Sequence, residues 1–66
     1  MSEATEFPSS VGRVAPRSLA EEGITTYAQL AEYTERELLT IHGVGPKAIR
    51  ILAEELQKRG MGYRED

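Results

Sequence analysis

The spacing of apolar residues predicts helices along most of the chain. Beyond residue 46, four apolar side chains recur at i, i+3, i+4 and i+7: Ile49, Leu52, Ala53 and Leu56. This spacing is typical of one buried helix face. Pro46 stands where a first helical residue belongs, and Gly60 stands where a left-handed residue ends a helix. No segment alternates apolar and polar residues as a half-buried strand does, so the predicted class is all-α.

Three shorter helices are predicted before this one. Pro16 suits the first turn of a helix that continues through residues 19–22 and ends at Gly23. Two pairs have the spacing of capping boxes: Thr26 with Gln29, and Thr34 with Glu37. In such a box the threonine hydroxyl accepts a hydrogen bond from the N–H of the residue three positions later. The side chain of that residue in turn accepts a hydrogen bond from the threonine N–H. The boxes predict helices over about 27–33 and 35–41.

Length and composition predict one small domain. A chain of 66 residues without cysteine has no disulfide or thiolate metal site to supplement its core. Residues 1–12 are poor in large apolar side chains, so they are predicted to be a flexible tail, with the domain over 13–63 and a short tail over 64–66. Neither a signal peptide nor a membrane span is apparent, and we expect a cytoplasmic protein with no membrane partner.

The charge is unevenly distributed along the chain. The net charge is -3, and the whole surplus lies in residues 1–6 and 64–66. Residues 7–63 hold seven basic and seven acidic side chains, so the body is neutral. Within it, residues 41–53 carry His42, Lys47 and Arg50 without any carboxylate. This local positive charge keeps an anionic partner such as nucleic acid compatible with the sequence.

The glycine hairpin, Gly43-Val44-Gly45, is the candidate functional centre. Each glycine can adopt a positive φ, and neither has a side chain that would shield the peptide N–H groups. Val44 is predicted to turn inward between two helices. The helix that begins at Pro46 then presents free N–H groups and its positive dipole end, and Lys47 adds a charge beside them, which suits a phosphate. The alternative is that the glycines only permit a tight turn.

The residues around the hairpin resemble a known motif. Apolar residues precede it, Gly-x-Gly forms it, and Lys47 and Ala48 follow, as in the helix-hairpin-helix motif of DNA repair, replication and recombination proteins. About three quarters of the chain, residues 13–62, resembles the C-terminal domain of the bacterial RNA polymerase alpha subunit. The likeness rests on these positions: Leu19, Gly23, Ile24, Thr25, Thr26, Leu30, residues 34–39, Gly45, Lys47, the apolar residues of the last helix, Arg59, Gly60 and Met61.

This resemblance implies a compact helix-hairpin-helix domain of four to five helices, of the SAM and RNA polymerase alpha C-terminal type. It also implies binding to the DNA minor groove and contacts with transcription factors. Gly45 and Lys47 match the family's binding positions, whereas Val14 replaces its main DNA-contacting arginine, Arg17 its asparagine and Ala48 its hydroxyl residue. These differences favour binding to the phosphate backbone over reading of the groove.

We therefore predict a non-catalytic nucleic-acid-binding module that contacts the phosphate backbone without sequence preference, with double-stranded DNA favoured. The predicted binding residues are Gly43, Val44, Gly45, Lys47, Arg50, Arg13, Arg17 and His42. The alternative is a protein-interaction module of a DNA or transcription machine that has lost DNA contact, its partner being a DNA- or RNA-associated protein complex. No catalytic residue, metal, cofactor or small-molecule substrate is predicted, because one histidine and scattered carboxylates assemble no such site.

Several aromatic and histidine side chains allow two interpretations. His42 either donates to a phosphate or, as favoured here, is partly buried and bonds a backbone carbonyl. Tyr27 and Tyr33 either stack on bases or, as favoured here, pack in the core. Tyr63 is predicted to cover the C-terminal end of the last helix.

Overall fold

The computed structural model describes residues 6–65 and contains only helices and connecting turns within that range. A 3₁₀ turn, Ser9–Val11, precedes four α-helices. These are α1 (Val14–Glu21), α2 (Tyr27–Leu30), α3 (Glu35–Leu39) and α4 (Pro46–Lys58). The predicted all-α class is confirmed. Within the described range, no helix combines the length and the apolar character that crossing a membrane requires.

One apolar core joins all four helices. Its buried members are Ala15, Leu19, Ile24, Tyr27, Leu30, Leu38, Val44, Ala48, Ile49, Leu52 and Leu56. α4 buries the predicted positions Ile49, Leu52 and Leu56, but Ala53 is only half-buried and Ala48 is buried in addition. The buried face of α4 is therefore rotated slightly from the predicted one, toward the side of Ala48 and away from that of Ala53.

Both predicted capping boxes are confirmed. The Gln29 N–H donates to Thr26 Oγ1 at 3.1 Å, and the Glu37 N–H donates to Thr34 Oγ1 at 3.1 Å. In return, Gln29 and Glu37 accept the N–H of their threonines at 3.1 and 2.9 Å. α2 and α3 start where predicted but end earlier, because tight turns close them. The Tyr33 N–H donates to the Leu30 carbonyl, and the Ile41 N–H to the Leu38 carbonyl.

Residues 6–11, which the sequence placed in a flexible tail, pack against the helices. The Glu6 N–H donates to the Thr25 carbonyl at 3.1 Å, and the Glu6 carboxylate accepts the Tyr27 N–H at 2.9 Å. Phe7 meets the Tyr27 ring edge-on at 5.2 Å, and Val11 also packs on the core. Two apolar side chains and a carboxylate at the start of α2 thus anchor this segment. Residues 1–5 of the predicted tail lie outside the described residues.

The segment after α4 folds back over the molecule. The Tyr63 hydroxyl donates to the Ile49 carbonyl at 2.8 Å, so Tyr63 reaches the first half of α4. The Arg64 N–H donates to the Tyr33 carbonyl, its Nε to the Glu32 carbonyl, and its Nη2 to the Glu37 carboxylate at 3.1 Å. Tyr63 therefore contacts α4 and Arg64 contacts the α2–α3 connection, so the two residues link these parts of the molecule.

Glu37 makes the fold sensitive to acid. The hydrogen bond from the Thr34 N–H lowers the pKa of Glu37 below its ordinary value of 4.5, and the Arg64 guanidinium lowers it further. A carboxyl group whose pKa is lowered by folding stabilises the fold at a pH above its ordinary pKa. That contribution disappears as the pH falls through the pKa of the folded state. We expect the melting temperature to drop as the pH falls below the ordinary value of 4.5, as circular dichroism would measure. Glu37→Gln keeps the carbonyl acceptor but has no charge, so its drop should be smaller; an equal drop contradicts this role.

Candidate nucleic-acid interface

The two glycines of the hairpin have different conformations. Gly43 has a φ of 93°, in the left-handed region that only glycine adopts readily. Gly45 has a φ of -112° and a ψ of 179°, which is extended backbone open to any residue. An added Cβ at Gly45 would meet nothing within 4 Å. The prediction that both glycines serve a positive φ therefore holds for Gly43 and is wrong for Gly45.

Val44 points into the core, as predicted. Its side chain is buried, and its N–H donates to the Ile41 carbonyl at 3.0 Å. This hydrogen bond closes the turn and engages the central amide of the hairpin. Val44 consequently packs between α3 and α4, and its own amide is not available to a ligand.

The beginning of α4 lacks the caps that α2 and α3 possess. Gly45 is its N-cap and has no side chain to cap it, and Pro46 has no N–H. The Ile49 N–H donates to the Gly45 carbonyl at 3.0 Å, but within residues 6–65 no acceptor pairs with the amides of Lys47 or Ala48. A helix of 13 residues thus presents uncapped amides beside the Lys47 side chain. Such an end attracts anions through its dipole and its N–H groups.

The first turns of α1 lie directly against the hairpin. A Cβ built on Gly43 would come within 2.5 Å of Ser18 Oγ and 2.8 Å of Val14 Cγ1. The sequence analysis missed the Ser18 contact, because nothing in a local pattern shows which helix packs on a turn 25 residues away. Arg13 and Arg17 each precede one of these two contact residues, so they lie about 100° around the α1 axis from them. Both arginines are exposed.

The remaining predicted residues are exposed. Lys47 and Arg50 are three positions apart on α4 and share a face, and Glu54 follows them one turn later. His42 is exposed in the turn before the hairpin, and no hydrogen bond to it occurs within the described range. The favoured interpretation of His42 as a partly buried residue is therefore wrong. The exposed cations at the start of α4, Lys47 and Arg50, are thus followed by the acidic Glu54 one turn later.

The tyrosines belong to the core side of the molecule. Tyr27 is buried, Arg59 lies 4.1 Å over its ring, and its hydroxyl has no hydrogen-bond partner among the described residues. Burial raises the pKa of the Tyr27 phenol above its ordinary value. Tyr33 is half-buried and packs on the same core. The core interpretation of Tyr27 and Tyr33 is confirmed, and neither ring is presented for stacking on a base.

Comparison of the chain with protein-family models, curated proteins and solved structures gives no match. The resemblance to the helix-hairpin-helix family thus rests on the residues of the hairpin and its surroundings. Among the described residues, no three metal-ligating side chains come together. The chemistry available at the hairpin is that of backbone amides, a helix dipole and side-chain cations.

Proposed function

We propose that the chain is a helix-hairpin-helix module that binds the phosphate backbone of double-stranded DNA without reading its sequence. The uncapped start of α4 carries this proposal. α2 and α3 each use a threonine hydroxyl and a returning side chain as a cap, whereas α4, like α1, has no side-chain cap, and it begins at a bare glycine next to Lys47. A phosphate oxygen is the acceptor that such amides and such a cation fit.

The distribution of aromatic side chains favours a duplex over a single strand. Proteins that bind single strands offer exposed aromatic rings on which bases stack. Within residues 6–65 every aromatic ring is buried or half-buried: Phe7, Tyr27, Tyr33 and Tyr63. Contacts to a continuous sugar-phosphate backbone, which a duplex presents in fixed geometry, need no such platform.

A fluorescence anisotropy titration with a short labelled DNA duplex tests the proposal. We expect weak binding at low ionic strength that falls as salt rises, with a slope in log-log form of about -0.9 for each phosphate neutralised. Lys47→Gln should make that slope shallower by about one unit. Lys58→Gln, which removes an equal charge at the opposite end of α4, is the control and should change the slope little. Absence of binding by the unaltered chain, or equal effects of both substitutions, contradicts the proposal.

One observation favours the second candidate, a protein-interaction module of a DNA or transcription machine. Among residues 6–65, three large apolar side chains are exposed: Val14 at 62%, Leu39 at 44% and Met61 at 40%. Exposed apolar side chains support docking of a protein surface. An affinity pulldown before and after nuclease treatment separates the two candidates. Partners that survive the nuclease favour the protein module, and partners that disappear favour the DNA-binding one.

A further inference from the structure

The end of α4 is complete without the residues that follow it. Gly60 has a φ of 72°, and its N–H donates to the Gln57 carbonyl at 3.0 Å. The Met61 N–H donates to the Leu56 carbonyl at 2.8 Å. These two hydrogen bonds form a Schellman motif, which satisfies the last carbonyls of a helix. Residues 62–65, which we name the C-terminal latch, therefore add contacts to the molecule without capping α4.

The C-terminal latch is held by hydrogen bonds to acceptors that other donors can serve. The Tyr63 hydroxyl bonds the Ile49 carbonyl, which lies inside α4 and belongs to the hydrogen-bond ladder of that helix. The Arg64 N–H and Nε bond the Tyr33 and Glu32 carbonyls at 2.9 Å each. Water can replace Arg64 at these carbonyls, because residues 32 and 33 are exposed and half-buried. Opening of the latch thus leaves no deeply buried acceptor without a donor.

An ion pair adds a charged contact to this closure. Arg64 Nη2 lies 3.1 and 3.2 Å from the two carboxylate oxygens of Glu37, and both side chains are about half exposed. The charged residues of the adjoining segments are Glu32, Glu35, Arg36 and Glu65. α4 presents only the uncharged Ala53 and Gln57 to the groove beside the latch. Protonation of Glu37 therefore removes the charge that attracts Arg64, while the carbonyl acceptors do not titrate.

We infer that the C-terminal latch opens as a unit while the four helices stay folded, and that acid favours its open form by neutralising Glu37. Gly62 joins the latch to the end of α4, and a Cβ there would meet nothing within 4 Å, so the backbone has room to turn. The latch forms one wall of a groove whose other walls come from α3 and α4. Opening removes this wall and exposes the part of α4 that Tyr63 covers.

Hydrogen exchange measured by NMR on the whole chain tests whether the latch opens by itself. The Arg64 N–H reports the latch, and the Met61 N–H, only three residues earlier, reports the end of α4. We expect the Arg64 N–H to exchange faster than the amide of the buried Leu52 and to respond little to low urea, as local opening does. Tyr63→Phe keeps the ring but loses the hydroxyl, so exchange at Arg64 should accelerate about two- to tenfold. Exchange at Met61 should stay unchanged.

The role of Glu37 is tested by the pH dependence of the same amide. Its protection, taken relative to an unstructured peptide at each pH, should fall by up to about fivefold as the pH drops below 4.5. Glu37→Gln should remove this dependence. Glu55→Gln is the matched control, because Glu55 pairs with Lys58 and Arg59 on α4 and makes no contact with the latch. It should leave the dependence in place.

The possible results are distinct and none involves nucleic acid, so they bear on the latch independently of the proposed function. If the Arg64 and Leu52 amides exchange at one rate with one urea dependence, the latch opens only when the domain unfolds, and the inference is wrong. An Arg64 amide without protection shows that the latch does not close. Joint acceleration at Arg64 and Met61 in Tyr63→Phe shows that the end of α4 frays instead. A pH dependence that persists in Glu37→Gln overturns the acid response.

Discussion

Gly43→Ala is expected to remove most of the stability of the domain. Two costs add at this position. An alanine with a φ near 93° adopts the left-handed conformation, which costs roughly 1–2 kcal/mol. Its Cβ would also meet Ser18 Oγ at 2.5 Å and Val14 Cγ1 at 2.8 Å, and such overpacking costs about 1–3 kcal/mol more. Together these approach the roughly 3–5 kcal/mol that a core of this size supplies.

Two other glycines separate the two costs. Gly23 also has a positive φ, 81°, but a Cβ there would meet nothing within 4 Å. Gly23→Ala should therefore lower the free energy of unfolding only by the conformational cost, about 1–2 kcal/mol. Gly45 is extended and open, so Gly45→Ala should lose less than about 1 kcal/mol. Urea unfolding of the three variants measures the series. If Gly43→Ala loses no more stability than Gly23→Ala, α1 does not pack on the hairpin as described.

Local signals in the sequence were sufficient for most of the helical architecture. Both capping boxes form with the predicted partners, because each joins residues three positions apart. Likewise, the apolar period of α4 is a property of adjacent turns, and Pro46 begins that helix as predicted. The ends of α2 and α3 were predicted too late. Their closing turns depend on the chain that follows, which must enter the next cap or the hairpin.

Contacts between distant residues account for what the sequence did not predict in the fold. Glu6 caps α2 across 21 positions, and Arg64 reaches Glu37 across 27. A polar, acidic segment is ordinarily a tail, and no pattern within it reveals an amide or a carboxylate elsewhere that it can pair with. Each pairing arises only once the core has brought α2, α3 and α4 together.

The candidate site divides in the same way. The exposed position of Lys47 agrees with the prediction from the residue types around Gly43 and Gly45. The different roles of Gly43 and Gly45 could not be predicted, because Gly-x-Gly is compatible with a positive φ at either position. The structure assigns Gly43 to the close approach of α1 and leaves Gly45 as an unsubstituted N-cap. The second glycine is therefore where stability and binding can be separated by mutation.

Gly45→Asp is expected to stabilise the fold and to weaken binding to duplex DNA. The backbone of Gly45 is extended, as an N-cap requires, and the space around its Cβ is open. An aspartate there can accept hydrogen bonds from the uncapped amides of α4, as Thr26 and Thr34 do at the start of α2 and α3. Capping and the helix dipole together should add about 0.5–1 kcal/mol. For a domain of this size that raises the melting temperature by roughly 2–8 °C.

The same carboxylate accepts the hydrogen bonds that the amides would otherwise donate to a phosphate. It also repels the phosphate charge, so the affinity for DNA should fall at least about tenfold. Gly45→Asn is the matched control, because it caps the helix with the same shape but without the charge. It should stabilise the fold less, because it has no charge to interact with the helix dipole, and it should weaken binding less. Thermal melting and anisotropy on the same samples measure both effects. A variant that is more stable and binds DNA as well as the unaltered chain shows that the phosphate lies elsewhere, because one set of amides cannot serve two acceptors at once.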